Sequence, residues 1–201
     1  MTPVLTIVLA YVIGAVPFGF LVVKLLAGRD VRAAGSGNIG ATNVLRTTGR
    51  GAGFLTLALD IGKGYLAVWL AGRMTDGNLL WMTLAALAVM AGHAYPVFLK
   101  FQGGKAVASF IGAYLCLTPL PLAAVLIVFV VAVAISRHVS LGSILAAGSF
   151  PFAVWLISHP PTFVVLAAAV SGGFIILRHK ENLARLRAGT ESVLSLRGKR
   201  A

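Results

Sequence analysis

Apolar residues arrive in long runs separated by short polar stretches. The runs fall near residues 3–26, 52–72, 78–98, 106–118, 120–136, 140–158 and 161–178, and most approach the roughly 20 residues that a helix needs to cross a hydrocarbon core. The fourth is the weak one. At about 1.5 Å per residue, Ala106 to Thr118 covers about 20 Å of a roughly 30 Å core, and Pro119 and Pro121 follow it. It reads as a short span, a half-helix or a re-entrant segment. The first run, about Pro3 to Ala27, lacks the basic leader of a signal peptide and exceeds a typical signal core, so it is expected to remain as the first span. The pattern predicts an all-α fold, a polytopic integral membrane helical bundle of about seven transmembrane helices.

Composition agrees: 59% of residues are hydrophobic and 11% charged, against about one quarter charged in soluble domains. A mean hydropathy of +0.95 leaves no soluble domain to find. We therefore expect one membrane-embedded domain over residues 1–201, with 179–201 as a cytosolic C-terminal segment. The net charge of +12 could suggest nucleic acid, but its carriers lie between apolar runs rather than along one amphipathic face. All the Lys and Arg except Lys63 and Arg73 flank alternate loops or the tail: Lys24, Arg29, Arg32, Arg46 and Arg50 the first loop, Lys100 and Lys105 the third, Arg137 the fifth, and Arg178, Lys180, Arg185, Arg187, Arg197, Lys199 and Arg200 the tail. Because cytoplasmic loops carry the Lys/Arg excess, the amino terminus is expected outside and the carboxyl terminus in the cytosol. The single Cys116 and the scattered His residues offer neither a disulfide framework nor a metal cluster. No metal, cofactor, nucleic acid or obligate protein partner is expected.

Three polar segments could carry chemistry. The first, Gly35-Ser36-Gly37-Asn38-Ile39-Gly40-Ala41-Thr42-Asn43-Val44-Leu45-Arg46, contains G-x-G-x-x-G. A dinucleotide site needs a strand before that pattern, and here an apolar span precedes it. What remains is a Gly-rich backbone able to turn N–H groups toward an anion, with Ser36, Asn38, Thr42 and Asn43 as neutral donors and Arg46 as a planar charged fork. Phosphate is the natural guest, although a lone loop of this composition also suits a flexible connector. The second segment runs from Gly92-His93 to Gly103-Gly104-Lys105. It is not a Walker loop, because Leu99 stands where a Gly is required and Ala106 replaces the Ser or Thr. Gly103 and Gly104 allow close backbone approach, and Lys105 supplies a mobile charge. His93 alone reads as a packing residue. The third segment, Arg178 to Glu191, starts where the last apolar run ends. On a continued helix, His179, Asn182 and Arg185 would line one stripe facing the other two loops. The far tail, Arg197 to Arg200, reads as a basic patch for anionic lipid. Inside the second span, Asp60 and Lys63 are three apart and are expected to pair structurally, or else to reach water at the cytosolic edge.

Taken in order, these segments resemble the motifs of the bacterial acyl-phosphate:glycerol-3-phosphate acyltransferases, a family of membrane enzymes. The resemblance covers nearly the whole chain and rests on Gly35 to Arg46, Gly92 to Ser109 and His179 to Glu191. It implies transfer of a fatty acyl group from acyl-phosphate to the 1-hydroxyl of glycerol-3-phosphate, giving lysophosphatidic acid and phosphate at the cytosolic face of the bacterial inner membrane. It further implies Ser36, Arg46, Lys105, His179 and Asn182 as catalytic residues, and Gly35, Gly37, Asn38, Gly40, Thr42, Asn43, Gly103 and Gly104 around the substrate phosphates. Glu191 is then structural. Ala106 departs from the family's usual Gly and Ser109 from its usual Thr. A methyl group at 106 disfavours positive φ, which bears on the loop's path.

An acyl-phosphate is already activated, so the enzyme mainly needs to position two phosphorylated substrates and stabilise an oxyanion. The acyltransferase dyad with Asp five positions after His is absent: Phe98, Ser143, Val164 and Ala184 stand there. Direct attack by the acceptor hydroxyl follows, without an acyl-enzyme on Ser36 or Cys116, the base being a substrate phosphate oxygen or His179. Two other readings are a transporter of a phosphorylated metabolite, which would place polar sites near the bilayer midplane, and a non-catalytic lipid-binding scaffold.

Overall fold

The computed structural model describes residues 3–194, and the basic Arg197, Lys199 and Arg200 of the expected lipid-binding tail lie outside them. Among the described residues the chain is helical, with no strand. They form two compact units, 3–113 and 114–194.

In the first unit, α1 (Val4–Ala15) and α2 (Phe18–Ala27) make one apolar path interrupted at Val16-Pro17. The proline ring removes a donor and breaks the helical ladder there. After α2 the chain passes Gly28, in the left-handed region at φ 67°, into a 3₁₀ turn at Val31–Ala33. Next come α3 (Ala41–Thr48), α4 (Arg50–Met74) and α5 (Leu79–Ala94). Asn78 starts α5 by accepting from the N–H groups of Leu80 and Trp81, satisfying donors that a helix start leaves orphaned. A second 3₁₀ turn, Val97–Leu99, leads into α6 (Val107–Leu117).

The second unit contains the end of α6, then α7 (Pro119–Ser136), α8 (Val139–Ser158), α9 (Thr162–Arg178) and α10 (Lys180–Arg187). Inside it, the Tyr114 hydroxyl and Ser171 Oγ lie 2.9 Å apart, fully buried, and the Tyr114 ring meets Phe150 edge-on at 4.6 Å. The hydroxyl has a partner, as burial demands.

The seven apolar runs all become helical, but their lengths differ from the expectation. Among the described residues, five segments are long and apolar enough to cross a membrane: Val4–Ala27, Arg50–Met74, Leu79–Leu99, Pro119–Ser136 and Val139–Ser158. Thr162–Arg178 passes that test only together with Lys180–Arg187, from which it is bent by 56°. At 11 residues, α6 spans only about 16 Å, roughly half of a bilayer core.

Without a hydrophobic drive between helices in lipid, close packing of small residues does the work. Gly14 of α1 meets α5 so tightly that a Cβ there would lie 2.2 Å from the Val89 carbonyl oxygen. Gly173 of α9, by contrast, faces open space. Gly14→Val should therefore force the helices apart and destabilise by about 1–3 kcal/mol, lowering the thermal unfolding midpoint in detergent by several degrees. Gly173→Ala should leave that midpoint unchanged or raise it slightly.

Candidate active site

The first polar segment is held over an apolar cluster of Val22, Val23, Val31, Ile39, Val44, Ala52 and Leu99, flanked by Phe20 and Leu59. Leu99 belongs to the second polar segment, so the structure seats both segments on one hydrophobic base. At the loop's entry Asp30 accepts from the Arg32 N–H at 2.9 Å and ion-pairs with its guanidinium at 2.7 Å. That hydrogen-bonded Arg32 holds the Asp30 carboxyl below its usual range, and the guanidinium stacks 5.4 Å from the Phe20 ring centre.

Asn43 is the loop's internal tie. Only 2% exposed, it accepts the Ser36 N–H at 2.9 Å through Oδ1. Its Nδ2 donates to the carbonyls of Asn38 at 2.8 Å, Ala34 at 3.1 Å and Val31 at 3.4 Å. Asn38 in turn accepts the Gly40 N–H at 2.8 Å, and the Gly37 N–H donates to Ala34. The N–H groups expected to face an anion at Ser36, Gly37 and Gly40 thus bond within the loop, while Gly35 and Gly37 take positive φ of 61° and 70°. What the loop presents outward is side chains. Ser36 is exposed, and Thr42 and Arg46 are half-buried on α3. The sequence pattern offered Asn43 as a phosphate donor, whereas the geometry gives its amide to the backbone.

In the second segment the Gly103 and Gly104 N–H groups donate to the Ala94 and His93 carbonyls at 3.2 and 3.1 Å. Lys105, half-buried, follows directly. Lys100, Phe101 and Ala106 take positive φ of 53°, 63° and 62°. Ala106 keeps the left-handed backbone its methyl disfavours, at roughly 1 kcal/mol, and its carbonyl accepts the Phe110 N–H as α6 begins. Such strain gathers at functional loops. Beneath this segment Asp60 and Lys63 pair at 2.8 Å, 1% and 4% exposed, so they do not reach water.

The third segment belongs to the second unit. The helix does not continue as one rod through His179: it bends there by 56° between α9 and α10. His179 is 4% exposed, and its Nδ1 lies 2.8 Å from the Ile175 carbonyl. A carbonyl only accepts, so Nδ1 donates to it and Nε2 lies on the opposite edge of the ring. Asn182, also buried, donates through Nδ2 to Glu191 Oε1 at 2.6 Å, which fixes the direction of its amide carbonyl. Glu191 takes two more donors, Ser140 Oγ at 2.8 Å and Arg185 Nε at 2.7 Å. Burial pushes the Glu191 carboxyl up, but those three hydrogen bonds outweigh it and hold the group below the usual range. The following residues fold back onto the turn before α8, with the Leu194 N–H on the Arg137 carbonyl at 2.7 Å. Ser140 is the participant that the sequence did not reveal, because nothing in its neighbourhood links it to a carboxylate 51 positions away.

The glycerol-3-phosphate acyltransferase family profile matches residues 4–189. A glycerol-3-phosphate acyltransferase of Desulforamulus reducens is 44% identical over 191 residues, covering 95% of this chain and 94% of that protein. One from Trichlorobacter lovleyi is 45% identical over 185 residues, covering 91% and 93%. Among solved structures, the crystal structure of PlsY (YgiH), an integral membrane glycerol 3-phosphate acyltransferase in its glycerol 3-phosphate form, superposes with a TM-score of 0.91 at 35% identity, covering 97% of this chain and 96% of that one. Its lysophosphatidic acid form gives 0.88 at 34%, covering 98% and 97%. Matched along almost its whole length in sequence and in fold, this chain belongs to the glycerol-3-phosphate acyltransferase family.

Proposed function

We propose that this multi-pass membrane protein moves a fatty acyl group from an acyl-phosphate to the 1-hydroxyl of glycerol-3-phosphate, releasing lysophosphatidic acid and phosphate on the cytosolic side of a bacterial inner membrane. The observation that carries this reading is the match to one enzyme in two forms, one with glycerol 3-phosphate and one with lysophosphatidic acid. Those are an acceptor and an acylated product. The sidedness rests on the Lys and Arg of alternate loops.

In this reading Ser36, Arg46 and Lys105 hold phosphate, with Asn38 and Thr42 beside them and the glycines setting the backbone. His179 and Asn182 orient the glycerol backbone or the reacting carbonyl. The acceptor hydroxyl attacks the mixed-anhydride carbon, the carbon–phosphate oxygen bond breaks, and the hydroxyl proton passes to a phosphate oxygen or to Nε2 of His179. The electrophile is already activated, so positioning and charge stabilisation supply most of the rate. Glu191 acts one step back, by holding Asn182 and Arg185 in place.

Arg46→Ala should lower acceptor-dependent phosphate release from palmitoyl-phosphate by at least about 100-fold, measured on purified protein with and without glycerol-3-phosphate. Folded wild-type protein that releases no phosphate would exclude the acyltransferase reading and direct attention to transport in proteoliposomes. For Glu191 the sign follows from its depressed pKa: its contribution to stability is complete above the ordinary value of 4.5 and is lost as pH falls through the folded-state value. Glu191→Gln should therefore melt several degrees below wild type at pH 7, and the gap should shrink near pH 4.

A further inference from the structure

Asp60, Lys63 and His93 form a buried titratable group for which the reaction as described has no use. Each is at most 4% exposed, inside helices that face lipid. An ionisable group in such a place is expensive unless paired, and it usually marks function. Lys63 is well matched: its Nζ contacts Asp60 Oδ1 at 2.8 Å, donates to the Val16 carbonyl at the break between α1 and α2 at 2.7 Å, and lies 5.6 Å from the Phe18 ring centre. His93 turns Nδ1 toward the same Asp60 oxygen at 3.6 Å.

That orientation directs the opposite edge of the imidazole at Gly104. A Cβ built on Gly104 would lie 2.1 Å from His93 Nε2, and one on Gly103 would lie 2.2 Å from the His93 carbonyl oxygen. The Gly104 N–H donates to that same carbonyl. The loop that carries Lys105 is thus seated on one histidine, through both its backbone and its ring. The other ring nitrogen faces the Asp60 carboxylate that pairs with Lys63.

We propose that His93 and Asp60 are positioning residues for the Gly103-Gly104-Lys105 loop, with His93 as the wedge that sets the loop's height and Asp60–Lys63 as the buried pair that orients the wedge. The inference rests on the reading of Lys105 as a phosphate-holding residue.

The test compares Lys105→Ala, His93→Ala, His93→Gln, Gly104→Ala and the double variant His93→Ala/Gly104→Ala, all purified in detergent with melting midpoints recorded. Lys105→Ala identifies which phosphorylated substrate depends on the loop. His93→Ala should raise the KM for that same substrate by about 10-fold with kcat within about 3-fold, and His93→Gln, which keeps an amide near the Nε2 position, should restore most of the loss. Gly104→Ala should be defective in the wild-type background. In the double variant the added methyl enters the space left by the ring, so its KM should be no worse than that of His93→Ala alone. Losses that multiply, or a His93→Ala enzyme with unchanged KM beside an impaired Lys105→Ala, would overturn the proposal. An unimpaired Lys105→Ala would instead refute the reading of the loop. If His93→Ala does not fold, Asp60→Asn/Lys63→Met removes both buried charges without leaving either unpaired. It should raise the same KM, and an unchanged value would again overturn the proposal.

Discussion

Hydrocarbon supplies no hydrogen-bond partner, and this structure is arranged around that constraint. The spans are helical because a helix satisfies its own backbone. Hydroxyls within them bond back to the carbonyl four residues earlier, as Thr56 does to Ala52 at 2.8 Å, Thr83 to Leu79 at 2.7 Å and Ser143 to Val139 at 2.9 Å. The two charges that sit inside the first unit, Asp60 and Lys63, face each other. Lys63 also donates to the Val16 carbonyl at the proline break.

The polar segments obey the same rule by a different route. In the first and the third, a polar side chain turns its bonding capacity inward. Asn43 ties Ser36, Asn38, Ala34 and Val31 in the first unit, and Glu191 ties Ser140, Asn182 and Arg185 in the second. These ties order segments that Gly and Ser would otherwise leave pliable, and an ordered site loses less entropy when it binds its substrates. Ser36 is then presented at the surface rather than folded away.

Much of this was legible in the residues. Apolar run length gave the helices, and the three-residue spacing of Asp60 and Lys63 gave their pairing. The remainder was hidden for identifiable reasons. The 56° bend at His179 comes without a proline or glycine beside it, so no local breaker announced it. Ala106 holds a positive φ that its residue type argues against, because the glycine loop before it and the α6 start after it fix the path on both sides. Ser140 joins Glu191, and His93 joins Asp60, across sequence separations that no periodicity encodes. Asn43 looked like a ligand donor because an amide that binds a loop and one that binds phosphate are the same residue in a sequence. Length alone separated α6 from the full spans, and its 11 residues sit well below what a crossing helix needs.

The proposal that most needs testing is that the loops carrying the three polar segments face the cytosol, as the Lys and Arg of alternate loops imply. The most direct measurement is labelling with a membrane-impermeant maleimide in intact spheroplasts and in inverted vesicles, using single cysteines placed in a Cys116→Ser background. Arg29→Cys, Lys100→Cys and Arg187→Cys should label only in inverted vesicles, and Asp76→Cys and His159→Cys only in spheroplasts. Labelling of Lys100→Cys or Arg187→Cys from the outside would contradict a shared cytosolic face.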